Sequence, residues 1–424
     1  MGCSKNLIDS ERLLRQLENR GYTVSHDSDI PDGEYVVVNT CGFINDAKEE
    51  SINLLLDLSE KKASGQIGKI VVMGCLSERY MNDLKNEMPE IDIWYGKFVW
   101  KDFISSLPEK KSSLPLKEWD RKITTPAHSA FLKISEGCNR FCAFCAIPLI
   151  TGRHTSRPVE EILEEVKQLV SRGVKEFNVI AQDLSSYGLD LYGKHHLAAL
   201  IDAIADVPGV EWIRLHYAYP SDFPMDILEV MAKRDNVCKY MDIALQHISD
   251  QVLDNMRRHI DKKATLNLLR EMRERVPGIK IRTTLMVGFP GETDEGFEEL
   301  LDFVKTQRFD RMGAFAYCEE DDTYAAKHLK DTIPDDVKQN RLERLMTLQE
   351  EIALEEAEKM VGSDVKLLVD EIENGIRVCR SQWDSPDVDC SYYVASTNAA
   401  PGEFINARIT AAKSPFDFEA IEIV

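Results

Sequence analysis

Residues 130–145 read Ala130-Phe131-Leu132-Lys133-Ile134-Ser135-Glu136-Gly137-Cys138-Asn139-Arg140-Phe141-Cys142-Ala143-Phe144-Cys145, a short apolar strand running into a cysteine-bearing loop. Ala130–Ile134 fits a buried strand. Gly137, Asn139 and Arg140 suit a loop and not a packed core. Cys138, Cys142 and Cys145 have three and then two residues between them, so one loop can wrap one metal group. Four irons of a cubane normally take four ligands, and this loop offers three. One iron would stay open to something that is not protein. Buried thiols explain a lone cysteine but explain this loop poorly. Zinc is the rival reading, yet it needs a fourth ligand, and only the more distant His154 is on offer.

Downstream the strand–helix alternation continues. Strands are expected at Phe177–Ala181, Trp212–Leu215, Met241–Ala244, Ile281–Val287 and Met312–Ala316. Pro158 opens the first intervening helix, whose buried stripe is Ile162, Val166, Leu169 and Val170. Six such units suit a partial (β/α)6 barrel better than a closed eight-stranded one. Pro334 then leads a charged helix to about Met360, with Leu342, Leu345, Leu348 and Ile352 inward. From Ser363 the chain is strand-rich and punctuated by Gly375, Pro386, Pro401 and Gly402, as in a small antiparallel β-barrel.

Upstream, Val36-Val37-Val38 runs into Cys41 and Ile70-Val71-Val72-Met73 into Cys75. Between them a helix from Asp46 carries Ile52, Leu55, Leu56 and Leu58 on its apolar face. Strand, helix, strand at this spacing is a parallel α/β unit. Cys3 precedes an amphipathic helix with Leu7, Leu14 and Leu17. By the same logic its strand would come before Met1, so the sequence reads as starting late. Ligands gather beyond the carboxyl ends of parallel strands, where Cys3, Cys41 and Cys75 would converge. The Lys/Ser/Pro-rich stretch Pro108–Pro126 reads as a connection. The expected organisation is α/β throughout the first two parts: 1–118, 119–360 and a terminal barrel at 361–424.

Net charge is −21, from 52 basic and 73 acidic residues, which disfavours stable nucleic-acid binding unless a local basic patch overrides it. No apolar run is long enough for a membrane span, and the first residues are not a signal peptide. Met1-Gly2-Cys3 invites a lipidation reading, but Asn6 stands where a myristoylation signal wants Ser or Thr. Ten cysteines in such a chain point to the reducing cytoplasm. Cys238, Cys318, Cys379 and Cys390 lack convincing partners and read as buried or incidental thiols.

The Cys138–Cys145 run resembles the signature of the radical S-adenosylmethionine (SAM) superfamily. The resemblance implies a [4Fe-4S] cluster whose open iron chelates the amino and carboxylate groups of SAM, for reductive cleavage to a 5′-deoxyadenosyl radical. It gives Phe144 the aromatic position beside the adenine, with a hydrophobic plug as the plainer alternative. Arg157 could pair with the cofactor carboxylate, or with an acid of a neighbouring helix. Gln182 and Asp183, Gln246 and His247, and Gly288 and Glu292 in Gly288-Phe289-Pro290-Gly291-Glu292-Thr293 all follow expected strand ends. They are the other candidate cofactor-binding residues.

Gly2-Cys3-Ser4-Lys5-Asn6, Asn39-Thr40-Cys41 and Met73-Gly74-Cys75-Leu76-Ser77-Glu78-Arg79-Tyr80 resemble the cysteine motifs of the methylthiotransferase family. This implies a second [4Fe-4S] cluster on Cys3, Cys41 and Cys75, and replacement of C–H by C–S–CH3. One SAM would serve as methyl donor and another as radical source. It also implies a reducing partner, flavodoxin-like or ferredoxin-like, and a sulfur donor. The last part resembles a TRAM domain, which grips transfer RNA in RNA-modifying members. Residues 363–424, however, hold eleven acids and five bases, which suits a basic protein better than RNA. Gly2–Glu11 and Phe315-Ala316-Tyr317-Cys318-Glu319-Glu320-Asp321-Asp322-Thr323 look like the branch that modifies the β-carbon of an aspartate in protein twelve of the small ribosomal subunit. Cys390, at the end of Pro386-Asp387-Val388-Asp389-Cys390, departs from the glycine usual there. Transfer-RNA adenosine methylthiolation is the alternative, and an acidic metal-containing binding scaffold is the alternative of another class.

Overall fold

The computed structural model describes residues 2–43, 45–111 and 114–423. Met1 of the lipidation reading, Ser112 and Ser113 of the expected connection, and Val424 of the terminal segment lie outside them. The chain forms two compact units. One comprises Met1–Thr125, Glu136–Asn139 and Ala146–Arg153; the other comprises Pro126–Ser135, Arg140–Cys145 and His154–Val424.

The smaller unit is built on a three-stranded parallel sheet of Tyr35–Thr40, Lys69–Gly74 and Ile93–Trp94. Side chains alternate across a strand, and both faces are covered, so Ile70 to Met73 are all buried. Ile70 and Val72 pack with Val38, Leu55, Leu58, Leu76 and Leu84. Val71 and Met73 face the other way, against Leu13, Leu17, Phe103 and Ile104. Two expected faces need correction. In the helix Asn45–Ala63, Leu56 is exposed, because the stripe through Leu55 and Leu58 leaves it outside. In the helix Ser4–Asn19 the buried set is Ile8, Leu13 and Leu17, with Leu7 and Leu14 only half-buried. The expected connection is also no loose tether. Arg121 is buried and ion-paired with buried Glu11, and Thr124 N donates to Glu11 Oε1 at 2.7 Å.

In the larger unit all six expected barrel strands form: Ser129–Lys133, Glu176–Ile180, Trp212–Ala218, Val237–Gln246, Lys280–Val287 and Arg311–Ala316. They pair in sequence order as one parallel, unclosed sheet. The helix Val159–Ser171 buries Ile162, Val166 and Leu169 as its spacing requires, but Val170 of the expected stripe is only half-buried and Glu165 is buried instead. The helix Asp335–Met360 buries Leu345 and Ile352, but Lys338, Arg341 and Gln349 take the places expected for Leu342 and Leu348. Those polar residues are buried because they have partners: Arg341 meets Glu292 at 3.1 Å and Lys338 meets Asp331 at 2.6 Å.

Residues 364–422 close a five-stranded barrel. Its strands pair antiparallel except Ser391–Val394 with Asp417–Glu422, which run parallel because the intervening strand Phe404–Ala412 reverses the chain first. The left-handed residue of the turn before Cys390 is Asp387, with φ 66°, and not Cys390. A cysteine there is therefore unstrained, and its side chain is buried. Cys238 and Cys379 are buried too, while Cys318 is exposed.

Within the same unit this barrel docks on the amino-terminal ends of the parallel strands through buried charge. Glu176 accepts from Arg214 at 2.9 Å, from Arg380 at 2.9 and 2.8 Å, and from Ser129 at 2.7 Å. Asp389 accepts from Arg282 at 2.7 Å and Tyr240 at 2.9 Å, and Asp384 pairs with Arg311 at 2.8 Å. Trp212 and Phe404 close the apolar part of the seam edge to face, 4.9 Å between centroids.

Candidate metal centres and cofactor site

Cys3, Cys41 and Cys75 each stand where a strand or turn meets a helix. Cys3 immediately precedes the helix Ser4–Asn19, Cys41 follows the strand Tyr35–Thr40, and Cys75 opens the helix Cys75–Glu87. Gly74 before it has φ 105°, and a Cβ there would collide with Asn39 and Thr40, so only glycine lets the strand turn into the helix. Asn6 braces this edge: Nδ2 donates to Thr40 O at 3.2 Å, and Oδ1 lies 3.5 Å from Cys75 Sγ. Burial pushes the Cys75 thiol up to about 12; Lys97 opposes this, and Cys3 and Cys41 add to it. Burial raises Cys41 as well, with Cys3 contributing.

Lys97 is the residue that reading the sequence missed here. It follows the third strand as Cys41 and Cys75 follow the first two, so the rule that located those cysteines would also have found it. Its buried ammonium lies 2.8 Å from Glu136 and 3.9 Å from Asp9. Burial works against its charge, but Glu136 and Asp9 outweigh burial and hold it protonated.

Cys138 is placed by its own turn: its amide donates to Gly152 O at 3.2 Å. Gly137 has φ 82°, and a Cβ on it would overlap the Arg153 carbonyl. Gly137→Ala should therefore displace Cys138. An anaerobically reconstituted variant is expected to retain about half the iron of the parent, on the reading of two equal clusters. Full iron with unchanged visible absorption would refute this.

Cys142 and Cys145 belong to the larger unit, where Ala143 N donates to Met256 O at 2.9 Å and Ala325 N to Ala143 O at 2.7 Å. Buried Arg258 donates to Cys142 Sγ at 3.1 Å, and Tyr219 Oη lies 3.5 Å from the same sulfur. Neither residue was singled out from sequence. Tyr219 lies just beyond the end of its strand, and Arg258 is one of an unremarkable Arg-Arg pair. A buried guanidinium facing a sulfur fits a thiolate ligand better than a neutral thiol. His154, the possible zinc ligand, bonds Ser156 Oγ at 3.1 Å. Among the described residues no group of three His, Cys, Asp or Glu closes round a single ion.

The candidate cofactor residues separate into groups. Phe144 packs edge to face on Phe289, 6.2 Å between centroids, in a cluster with Met256, Met286 and Tyr317. Gly288 N and Phe289 N both donate to Glu292, and Gly288 has φ 73°. Burial pushes Glu292 up to about 7 against the pull of Arg341. His247, 3.9 Å from Glu292, is pushed down to about 3 by burial and then by Arg341, so it is neutral. Gln246 ends its strand in the left-handed region, φ 74°. Arg157 lies elsewhere: it is paired with Glu165 at 2.7 Å and Glu161 at 2.9 Å, and donates to Lys133 O at 2.7 Å. Gln182 is half-buried at the end of its strand. Asp183 caps the next turn and accepts from Arg140 at 2.7 Å.

Comparison with known proteins agrees with this architecture. Residues 132–304 match the Radical SAM superfamily, 361–423 the TRAM domain, and 1–96 the Uncharacterized protein family UPF0004. A radical SAM methyltransferase, TsrM of Kitasatospora setae with tryptophan and a SAM analogue bound, shares the fold. Its TM-score is 0.55 at 15% identity, over 88% of this chain and 77% of that one. The fold is thus that of a radical SAM enzyme bearing a TRAM domain. Relatives named ribosomal protein uS12 methylthiotransferase RimO are 56% identical in Phocaeicola vulgatus (99% of this chain, 97% of the relative). They are 54% identical in Bacteroides thetaiotaomicron (99% and 96%) and 47% in Flavobacterium johnsoniae (97% and 94%). The chain belongs to this family of ribosomal protein uS12 methylthiotransferases. Among the described residues no helix is long and apolar enough to cross a membrane.

Proposed function

We propose that the chain replaces C–H by C–S–CH3 at the β-carbon of an aspartate in ribosomal protein uS12, in the cytoplasm, with two [4Fe-4S] clusters. The observation that supports the two-cluster reading is the common placement of Cys3, Cys41 and Cys75 at strand and helix ends, with Asn6 linking Thr40 O and the Cys75 sulfur. Residues 1–118 would hold the second cluster, 119–360 the first, and 361–424 the substrate. With SAM bound, the first cluster supplies a 5′-deoxyadenosyl radical, needed because the target carbon has no useful acidity. The hydrogen would leave in 5′-deoxyadenosine, and the substrate carbon would bond to a sulfur methylated by the other SAM, the electron released on forming that bond passing to the cluster on Cys3, Cys41 and Cys75. A sulfur donor must replace that sulfur, and a flavodoxin-like or ferredoxin-like partner must supply the electron.

The chain's own residues hold and orient. Cys138, Cys142 and Cys145 bind one cluster; Cys3, Cys41 and Cys75 bind the other, with Lys97 lending positive charge. Phe144 covers the first cluster, and Gln182, Gln246 and the Gly288–Glu292 turn border the cofactor. Arg157, Asp183, His247 and Glu292 keep these strand ends in place through the partners described above. The acidic terminal barrel favours a basic protein substrate.

The test offers uS12 and transfer RNA separately to the reconstituted, reduced enzyme with SAM. A methylthio mass increment is expected on uS12 alone. An increment only on RNA would overturn the substrate assignment.

A further inference from the structure

Arg258 is buried, 3% exposed, yet among the described residues it has no ion pair with a carboxylate. Its Nη1 donates to Cys142 Sγ at 3.1 Å, its Nη2 to Ala244 O, and its Nε has no hydrogen-bond partner. The groups opposing its charge are the Cys142 and Cys145 sulfurs and the Tyr219 hydroxyl. The other buried arginines among the described residues each have an acid: Arg121 has Glu11, Arg214 and Arg380 have Glu176, Arg311 has Asp384, and Arg341 has Glu292. A guanidinium removed from water without a counter-charge is strongly unfavourable, so this site is built for an anion on the sulfur side.

The local backbone is shaped to present it. Arg257 and His259, on either side, lie in the left-handed region at φ 57° and 54°, which costs free energy in residues other than glycine. The result points Arg258 inward. Arg257 instead stacks on Tyr324 at 3.6 Å and lines a cavity of about 1090 Å³. Tyr219 completes the arrangement. Its ring lies under the guanidiniums of Arg258 and Arg140, 4.0 and 4.4 Å from its centroid, and its hydroxyl donates to Arg258 O at 3.0 Å.

We infer that Arg258, held by Tyr219, is a positioning residue that sets the reduction potential of the cluster bound by Cys138, Cys142 and Cys145. This rests on the reading that those cysteines hold the radical-generating cluster. Reduction adds one electron from a low-potential one-electron donor and no proton, so the cluster and its thiolates become more negative. A cationic donor on a ligand sulfur stabilises the reduced form more than the oxidised form, and so raises the potential.

The test is an EPR-monitored redox titration of the full chain, anaerobically reconstituted. It is run in the parent and in a Cys3→Ala, Cys41→Ala, Cys75→Ala background that leaves the Cys138–Cys145 signal alone. Arg258→Met is expected to shift the midpoint negative by at least tenfold in the reduction equilibrium, about 59 mV for one electron. Arg258→Lys should recover part of the shift. Tyr219→Phe, which keeps the ring, should move it less in the same direction, and it carries the test if Arg258→Met loses its iron. An unchanged midpoint at full iron content would overturn the inference. So would an unchanged midpoint with weakened SAM binding by equilibrium dialysis, which would make Arg258 a cofactor contact instead. Failure of the underlying reading looks different: Cys142→Ala would keep all its iron.

Discussion

Cys142→Ala is expected to abolish 5′-deoxyadenosine formation and to lower iron from about eight to about four per chain, since three ligands of one four-iron cluster become two. The loss should be complete. The Cys142 sulfur meets both Arg258 and Tyr219. Cys75→Ala is the contrasting variant. It should lose a similar share of iron and all methylthiolation, yet still cleave SAM reductively. Iron analysis, chromatography of 5′-deoxyadenosine and mass spectrometry of uS12 read the three quantities separately. If Cys75→Ala retained all its iron, the second cluster would have to be placed elsewhere. If Cys142→Ala still formed 5′-deoxyadenosine, the radical would have to arise at another site.

The second large effect concerns stability. Glu176→Ala should destabilise the larger unit by about 3–5 kcal/mol, because it strands Arg214 and Arg380 in the interior without their shared carboxylate. Burial alone would raise the Glu176 carboxyl, but Arg380 and Arg214, helped by Ser129, outweigh it and hold it well below the usual range. A group with a depressed folded pKa contributes stability that is complete above its ordinary value of 4.5. That contribution is lost as pH falls further, because the unfolded chain then binds the proton first. The parent's resistance to urea should accordingly fall below about pH 4.5, and Glu176→Gln should show a shallower slope there. Equal slopes would show that Glu176 is not a source of the acid sensitivity. Replacing the network by well-packed apolar residues is a different experiment, since removing both partners need not destabilise.

Much of the architecture was legible because it depends on local spacing. The six barrel strands lie within a few residues of their expected positions, since short runs such as Phe177–Ala181, buried throughout, leave little else for those residues to do. Helix faces were harder. Period alone put Leu342 and Leu348 inward on the last long helix, whereas Lys338 and Arg341 are buried because acids from other segments meet them. The stretch Pro108–Pro126 read as a connection from its composition, but Glu11, more than a hundred residues away, clamps Arg121 and Thr124.

The cysteine loop shows the same division. Its spacing by itself marked a metal-binding segment, and the six cysteine positions carried the family resemblance, because ligand number and interval are written along the chain. What the sequence could not express was charge compensation across the fold. That Arg258 donates to Cys142, that Lys97 acts on Cys75, and that Arg157 is held by Glu161, Glu165 and Lys133 O follow from how the folded segments meet. Such approaches have no sequence period. They exist because a buried charge must find an opposite one, and only the folded chain decides which is within reach.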